Sequence, residues 1–105
     1  MNERPERQIQ ILLADPSRLT LIGMKDVLER EPDMQVVATV TDGEEAAART
    51  AELEPDVVVT EIDLPKLSGD KAAQRIRREL PHVAVVIVTA HDEEQKLFDA
   101  IRAGA

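Results

Sequence analysis

Four short runs of β-branched and aliphatic residues, each followed by a stretch of helical periodicity, constrain this chain's fold more than any other feature. The runs are IQILLA (9–14), QVVATV (35–40), DVVVT (56–60) and VAVVIV (83–88). The first, third and fourth are almost continuously apolar, as in parallel strands covered on both faces, whereas the mixed second run suits a sheet edge. In the helical stretches, Leu21, Met24 and Leu28 share a face with Val27 beside them, as do Ala73, Ile76 and Leu80, and Leu97, Ala100 and Ile101. Pro32, Pro55 and Pro81 mark helix ends. Thr41 and Glu44 have the spacing of a capping box, and Gly104 is placed to cap the last helix. Strands alternating with helices of this length predict a β-α-β-α-β-α-β-α order and one parallel sheet with right-handed crossovers. The expected domain spans 9–105, after a solvated tail at 1–8, with no linker or repeat.

Composition narrows the function. With 105 residues there is room for one core, and Phe98 is the only aromatic, so that core must be built from Val, Ile, Leu, Ala and Met. The shortage of aromatics removes the stacking platforms common in single-strand binders. A net charge of −8 argues against binding DNA through this segment itself. There is no cysteine, which excludes thiolate metal sites and cysteine nucleophiles. No apolar run approaches the ~20 residues of a membrane span. The opening MNERPERQ lacks the apolar stretch of a signal peptide, and the expected location is cytoplasmic.

In open parallel sheets, function gathers at the carboxyl ends of the strands. Here those ends carry Asp15, Glu61 with Asp63, and Thr89. Two carboxylates and a hydroxyl on one surface suit a hard cation such as Mg²⁺, or a phosphoryl group. Each has a structural alternative. Asp15 can serve as a turn or N-cap residue, and Thr89 has capping-box-like spacing to Asp92. Glu61 leans towards a site role, because a carboxylate directly after a buried strand needs a cation or water. His82 and His91 read as surface residues, and Lys71, Arg75, Arg77 and Arg78 as a solvated basic face. No Gly-rich phosphate loop, nucleophile elbow or zinc-protease motif is present.

Three stretches, ILLADPSRLTLIGMKDVL, PDVVVTEIDLPKLSGDKAAQRIR and VVIVTAHDEEQKLFDAIRAGA, occur in an order that resembles the receiver domain of bacterial two-component response regulators. The likeness is closest to NarL/LuxR-type transcription factors and runs from about Gln8 onward. It implies a flavodoxin-like (CheY-like) doubly wound sheet of order 2-1-3-4(-5), with the fifth strand and helix missing from this chain. It also implies a role in phosphorelay signalling, in which a strand-end Asp takes a phosphoryl group from a histidine kinase with Mg²⁺. By position, Glu61 occupies the phosphoacceptor place, and Asp15 matches the first residue of the acidic pair. The backbone carbonyl of Asp63 matches a metal ligand, Thr89 the switch hydroxyl and Pro65 the loop proline.

Three departures from the family pattern bear on function. Glu61 replaces Asp and moves the carboxylate by about an ångström, a displacement that can cost ~10²-fold in a tuned site. Pro16 replaces the second acidic residue, which leaves Asp15, Glu61 and Asp63 a weak or absent Mg²⁺ site. The family's fifth-strand Lys has no counterpart here. The resemblance therefore implies a degenerate, phosphorylation-independent receiver, not an enzyme, with no cofactor expected. Glu61 either mimics phosphate in part, supplying about −1 against −1.5 to −2, or belongs to a passive regulator governed by self-association or another partner; the second reading is preferred. A histidine kinase is a doubtful partner, and DNA would be reached only through a domain outside this chain, which is expected to be a piece of a longer regulator. Weak phosphate acceptance at Glu61 or Asp63 is the alternative. A small Mg²⁺-dependent phosphohydrolase using Asp15 ranks far below, because Ser17 stands where it would need a second Asp. Without a fifth strand, VAVVIV is expected to form an apolar sheet edge that recruits another strand.

Overall fold

The computed structural model describes residues 8–88 and 94–105. Its elements are β1 (Ile9–Ala14), α1 (Arg18–Leu28), β2 (Met34–Val40), α2 (Gly43–Leu53), β3 (Val57–Glu61), α3 (Gly69–Glu79), β4 (Ala84–Val88) and α4 (Glu94–Gly104). The four strands form one parallel sheet in the order β2-β1-β3-β4. The expected alternation and strand order are therefore what the chain adopts. The tail expected at 1–8 lies, apart from Gln8, outside the described residues, as do Thr89, His91 and Asp92.

The two central strands explain the run-together apolar sequences. Ile11, Leu12, Leu13, Val57 and Val58 are all fully buried, because helices cover both faces of β1 and β3. On one face, Ile11, Leu13, Val57 and Val59 pack with Leu21 and Leu28 of α1 and with Phe98 and Ile101 of α4. On the other, Leu12, Ala14 and Val58 pack with Ala46 of α2 and Ile76 of α3. Fully covered small residues, among them Ala46, Ala72 and Ala73, let these helices approach closely. Phe98 is buried in the α4 contact, so the stripe of that helix runs through Phe98 and Ile101 rather than Ala100.

β4 departs from the expectation of a strand covered on both faces: it is an edge strand, and every residue in it is half-buried. Edge position decides this, since among the described residues β3 is the one strand beside it. β2 is the other edge, as its mixed composition suggests, and the pairing skips Val37 between Val36 and Ala38.

Two helix ends differ from their expected form. Asp42, not Thr41, caps α2: its backbone is extended, and its carboxylate accepts the N–H of Glu45 at 2.7 Å. Thr41 lies one residue too early for that reach. Gly104 is the last helical residue of α4 rather than a left-handed cap, and no described glycine has positive φ.

Candidate functional site

β1 and β3 are in register through Ala14 and Thr60, so the next residues, Asp15 and Glu61, leave adjacent strands side by side. Glu61 in turn pairs with Val88 of β4. The fold thus brings together two of the three strand-end residues expected there; the third, Thr89, lies outside the described residues.

Asp15 is buried, and its surroundings give it a structural task. Its N–H donates to the carbonyl of Val40 at 3.2 Å, and its Oδ1 accepts the N–H of Ser17 at 2.9 Å. Ser17, not Asp15, is the N-cap of α1, its hydroxyl accepting the N–H of Thr20 at 3.2 Å. One Asp15 oxygen is therefore already engaged in the turn. Pro16 is exposed and contributes no side-chain oxygen.

Glu61 is half-buried, and its carbonyl accepts the hydroxyl of Thr60 at 3.0 Å. The connection that follows is locked by contacts at both neighbouring helix starts. Gly69 N–H donates to Ile62 O at 2.7 Å, and Gly43 N–H donates to Pro65 O at 3.1 Å. Inside the loop, Leu64 N–H reaches Ile62 O at 3.1 Å and Leu67 N–H reaches Pro65 O at 2.7 Å. A Cβ on Gly69 would run into the carbonyl of Glu61, and one on Gly43 into the carbonyl of Leu67. Leu64 anchors the loop in the core, while Asp63 and Pro65 are exposed. Pro65 acts here through its carbonyl.

Lys66 has a left-handed backbone, φ 69°, and its Nζ lies 3.8 Å from Asp42 Oδ2 at the start of α2. Asp70, in the first turn of α3, is held below the usual carboxylate range chiefly by the hydroxyl of Ser68. Gly43, Gly69 and Lys66 were not singled out by the sequence reasoning. The signal available was the pairing of a capping residue with glycine, Asp42-Gly43 and Ser68-Gly69, directly before each helical pattern.

Among the described residues, no group of three or more His, Cys, Asp or Glu side chains is placed to hold a metal ion. Asp15 and Glu61 alone offer carboxylates at the β1 and β3 ends, with Asp63 out on the exposed loop. His82 is exposed as expected, but bonds Glu54 Oε1 at 2.8 Å, a link between the ends of α2 and α3 that spacing did not suggest.

The model of the response regulator receiver domain matches residues 11–105. The transcriptional regulatory protein DegU of Brevibacillus brevis is 35% identical over 106 residues, covering 100% of this chain and 45% of that protein. The chain thus spans about half the length of this regulator. Among solved structures, the response regulator domain of Thermotoga maritima CheB has a TM-score of 0.76 at 35% identity, covering 94% of this chain and 75% of that one. A two-component response regulator of the LuxR family from Aurantimonas sp. SI85-9A1 has a TM-score of 0.75 at 32% identity, covering 93% and 70%. No described helix is long and apolar enough to cross a membrane.

Proposed function

The chain belongs to the response regulator receiver family, and on that premise we propose that it is the regulatory domain of a cytoplasmic NarL/LuxR-type transcription regulator that has lost ordinary phosphotransfer. The observation that carries the reading is the pairing at the ends of β1 and β3. Glu61 takes the acceptor position beside Asp15, one of whose oxygens is engaged by Ser17 N–H, and Pro16 supplies no ligand. A Mg²⁺ ion demands near-octahedral oxygen ligation and sheds its waters reluctantly. Such a pair would hold it weakly, with Asp15, Glu61 and the Asp63 carbonyl as the ligands on offer. The domain acts as a binding module, not as an enzyme, and a histidine kinase has little chemistry to address on it. Contact with DNA belongs to a domain beyond these residues.

The locked loop between β3 and α3 supports a scaffold kept intact while its chemistry lapsed. The test is incubation with Mg²⁺ and acetyl phosphate, read by intact mass, on the unmodified chain and on Glu61→Asp and Glu61→Asp/Pro16→Asp variants. No adduct on the unmodified chain and one on the double variant is the expected result. An adduct on the unmodified chain, mapped to Glu61 or Asp63, would restore a working relay domain.

A further inference from the structure

We infer that a groove between α1 and the end of β2 binds a small aliphatic monocarboxylate. The inference goes beyond the proposed function: Asp15, Glu61 and Asp63 do not line this groove. It lies beside β2, across the sheet from β4.

α1 forms one wall. Arg18, Ile22 and Lys25 follow at i, i+4 and i+7, so they share one face of the helix. The two cations stand roughly 10 Å apart along the axis, with Ile22 between them. Ile22 is 66% exposed, and its aliphatic surface is open to a ligand. The other wall is the end of β2 and the first turn of α2, where Thr39 and Thr41 bring hydroxyls and Glu45 a carboxylate. Buried Leu21 and Val40 complete the lining with apolar side chains. The cavity measures about 340 Å³, at the small end of the range for small-molecule sites.

Charge selects the occupant. The chain carries a net charge of −8, and elsewhere its arginines find carboxylates. Arg30, Arg49, Arg75 and Arg102 each hold one at 2.6 to 3.7 Å. Among the described residues, Arg18 and Lys25 hold none. An anion entering the groove therefore meets a guanidinium fork or an ammonium that has no internal partner to give up. Glu45 restricts that anion to a single charge, because a dianion such as phosphate would press a second charge against a like one. Leu21, Ile22 and Val40 favour an apolar body over water. One carboxylate on a short aliphatic chain meets all three conditions. Both cations are exposed and the groove is open, so the binding is weak.

The test is titration of the 105-residue chain with isovalerate at low ionic strength, followed by backbone amide shifts. The shifts should saturate in the millimolar range and centre on Arg18, Ile22, Lys25, Thr39 and Thr41. Isoamyl alcohol keeps the body without the charge, and inorganic phosphate supplies charge without the body. Each should bind at least about tenfold more weakly than isovalerate. Arg18→Gln/Lys25→Gln should weaken isovalerate about tenfold or more, with an unchanged far-ultraviolet circular dichroism spectrum. If that variant unfolds, Ile22→Gln decides, and should weaken isovalerate severalfold. Shifts that fail to saturate or fall outside the groove, binding of the alcohol or phosphate as tight as that of isovalerate, or unchanged affinity in a folded variant would each overturn the proposal.

Discussion

β3 and β4 each hold three valines in unlike surroundings. Val57, Val58 and Val59 are at most 1% exposed, while no residue of β4 is fully buried. The difference comes from neighbours: among the described residues β3 has a strand on each side and β4 has one. β3 also leads into a loop fixed by Gly43 and Gly69, so its carboxylate end is rigidly placed. A run of valines therefore specifies a strand but not how completely that strand is used.

The comparison breaks first at the loop. Gly69→Ala and Gly43→Ala each drive a methyl group into a main-chain carbonyl, and each should cost about 3 kcal/mol or more in urea unfolding. A cost below about 1 kcal/mol at both would mean that the loop yields easily and the β3 end is not locked.

Next in size is the contrast between the strands themselves. Val58→Ala empties a site with no exposure and should cost roughly 2 kcal/mol, and Val86→Ala about half of that. Equal losses would show that β4 is as well covered as β3.

Thr50 tests the packing behind the central strands. It is fully buried in α2, and among the described residues its hydroxyl has no hydrogen-bond partner. Thr50→Val keeps the shape, removes the unsatisfied group and should add about 1 kcal/mol of stability.

The smallest effect is electrostatic. Arg102 of α4 bonds Asp33 at 3.0 Å and Glu31 at 2.8 Å, tying the helix to the turn before β2. The hydrogen bond from Arg102 holds Asp33 below its ordinary value near 3.8. Its folded pKa is thus the lower one, so the contribution is fully present above the ordinary value and is lost as pH falls through the depressed one. Arg102→Ala should lower the melting temperature by a few degrees at neutral pH. It should also flatten the loss of stability below about pH 4.

The architecture was legible because periodicity alone separates covered strands from amphipathic helices. The four runs fall within a residue of the strands formed, and both central strands are among the continuous ones. Edge status of β4 was hidden from composition and followed only from the family resemblance. Asp42 was missed as a cap because its neighbour Thr41 has capping-box spacing to Glu44. At the site, Asp15 and Glu61 were legible as the residues that end apolar strands. Gly43 and Gly69 were legible only as glycines that follow a capping residue; the carbonyls of Leu67 and Glu61 that press against them come from the fold, not from the local pattern.

Mg²⁺ binding, followed by amide shifts at Asp15 and Glu61, bears most directly on the claim that this strand end has given up its chemistry. The unmodified chain should show no saturable shift below ~10 mM Mg²⁺, and Glu61→Asp/Pro16→Asp should saturate at or below about 1 mM, since Pro16→Asp adds a carboxylate and Glu61→Asp shortens the one beside it. Sub-millimolar saturation of the unmodified chain would contradict it.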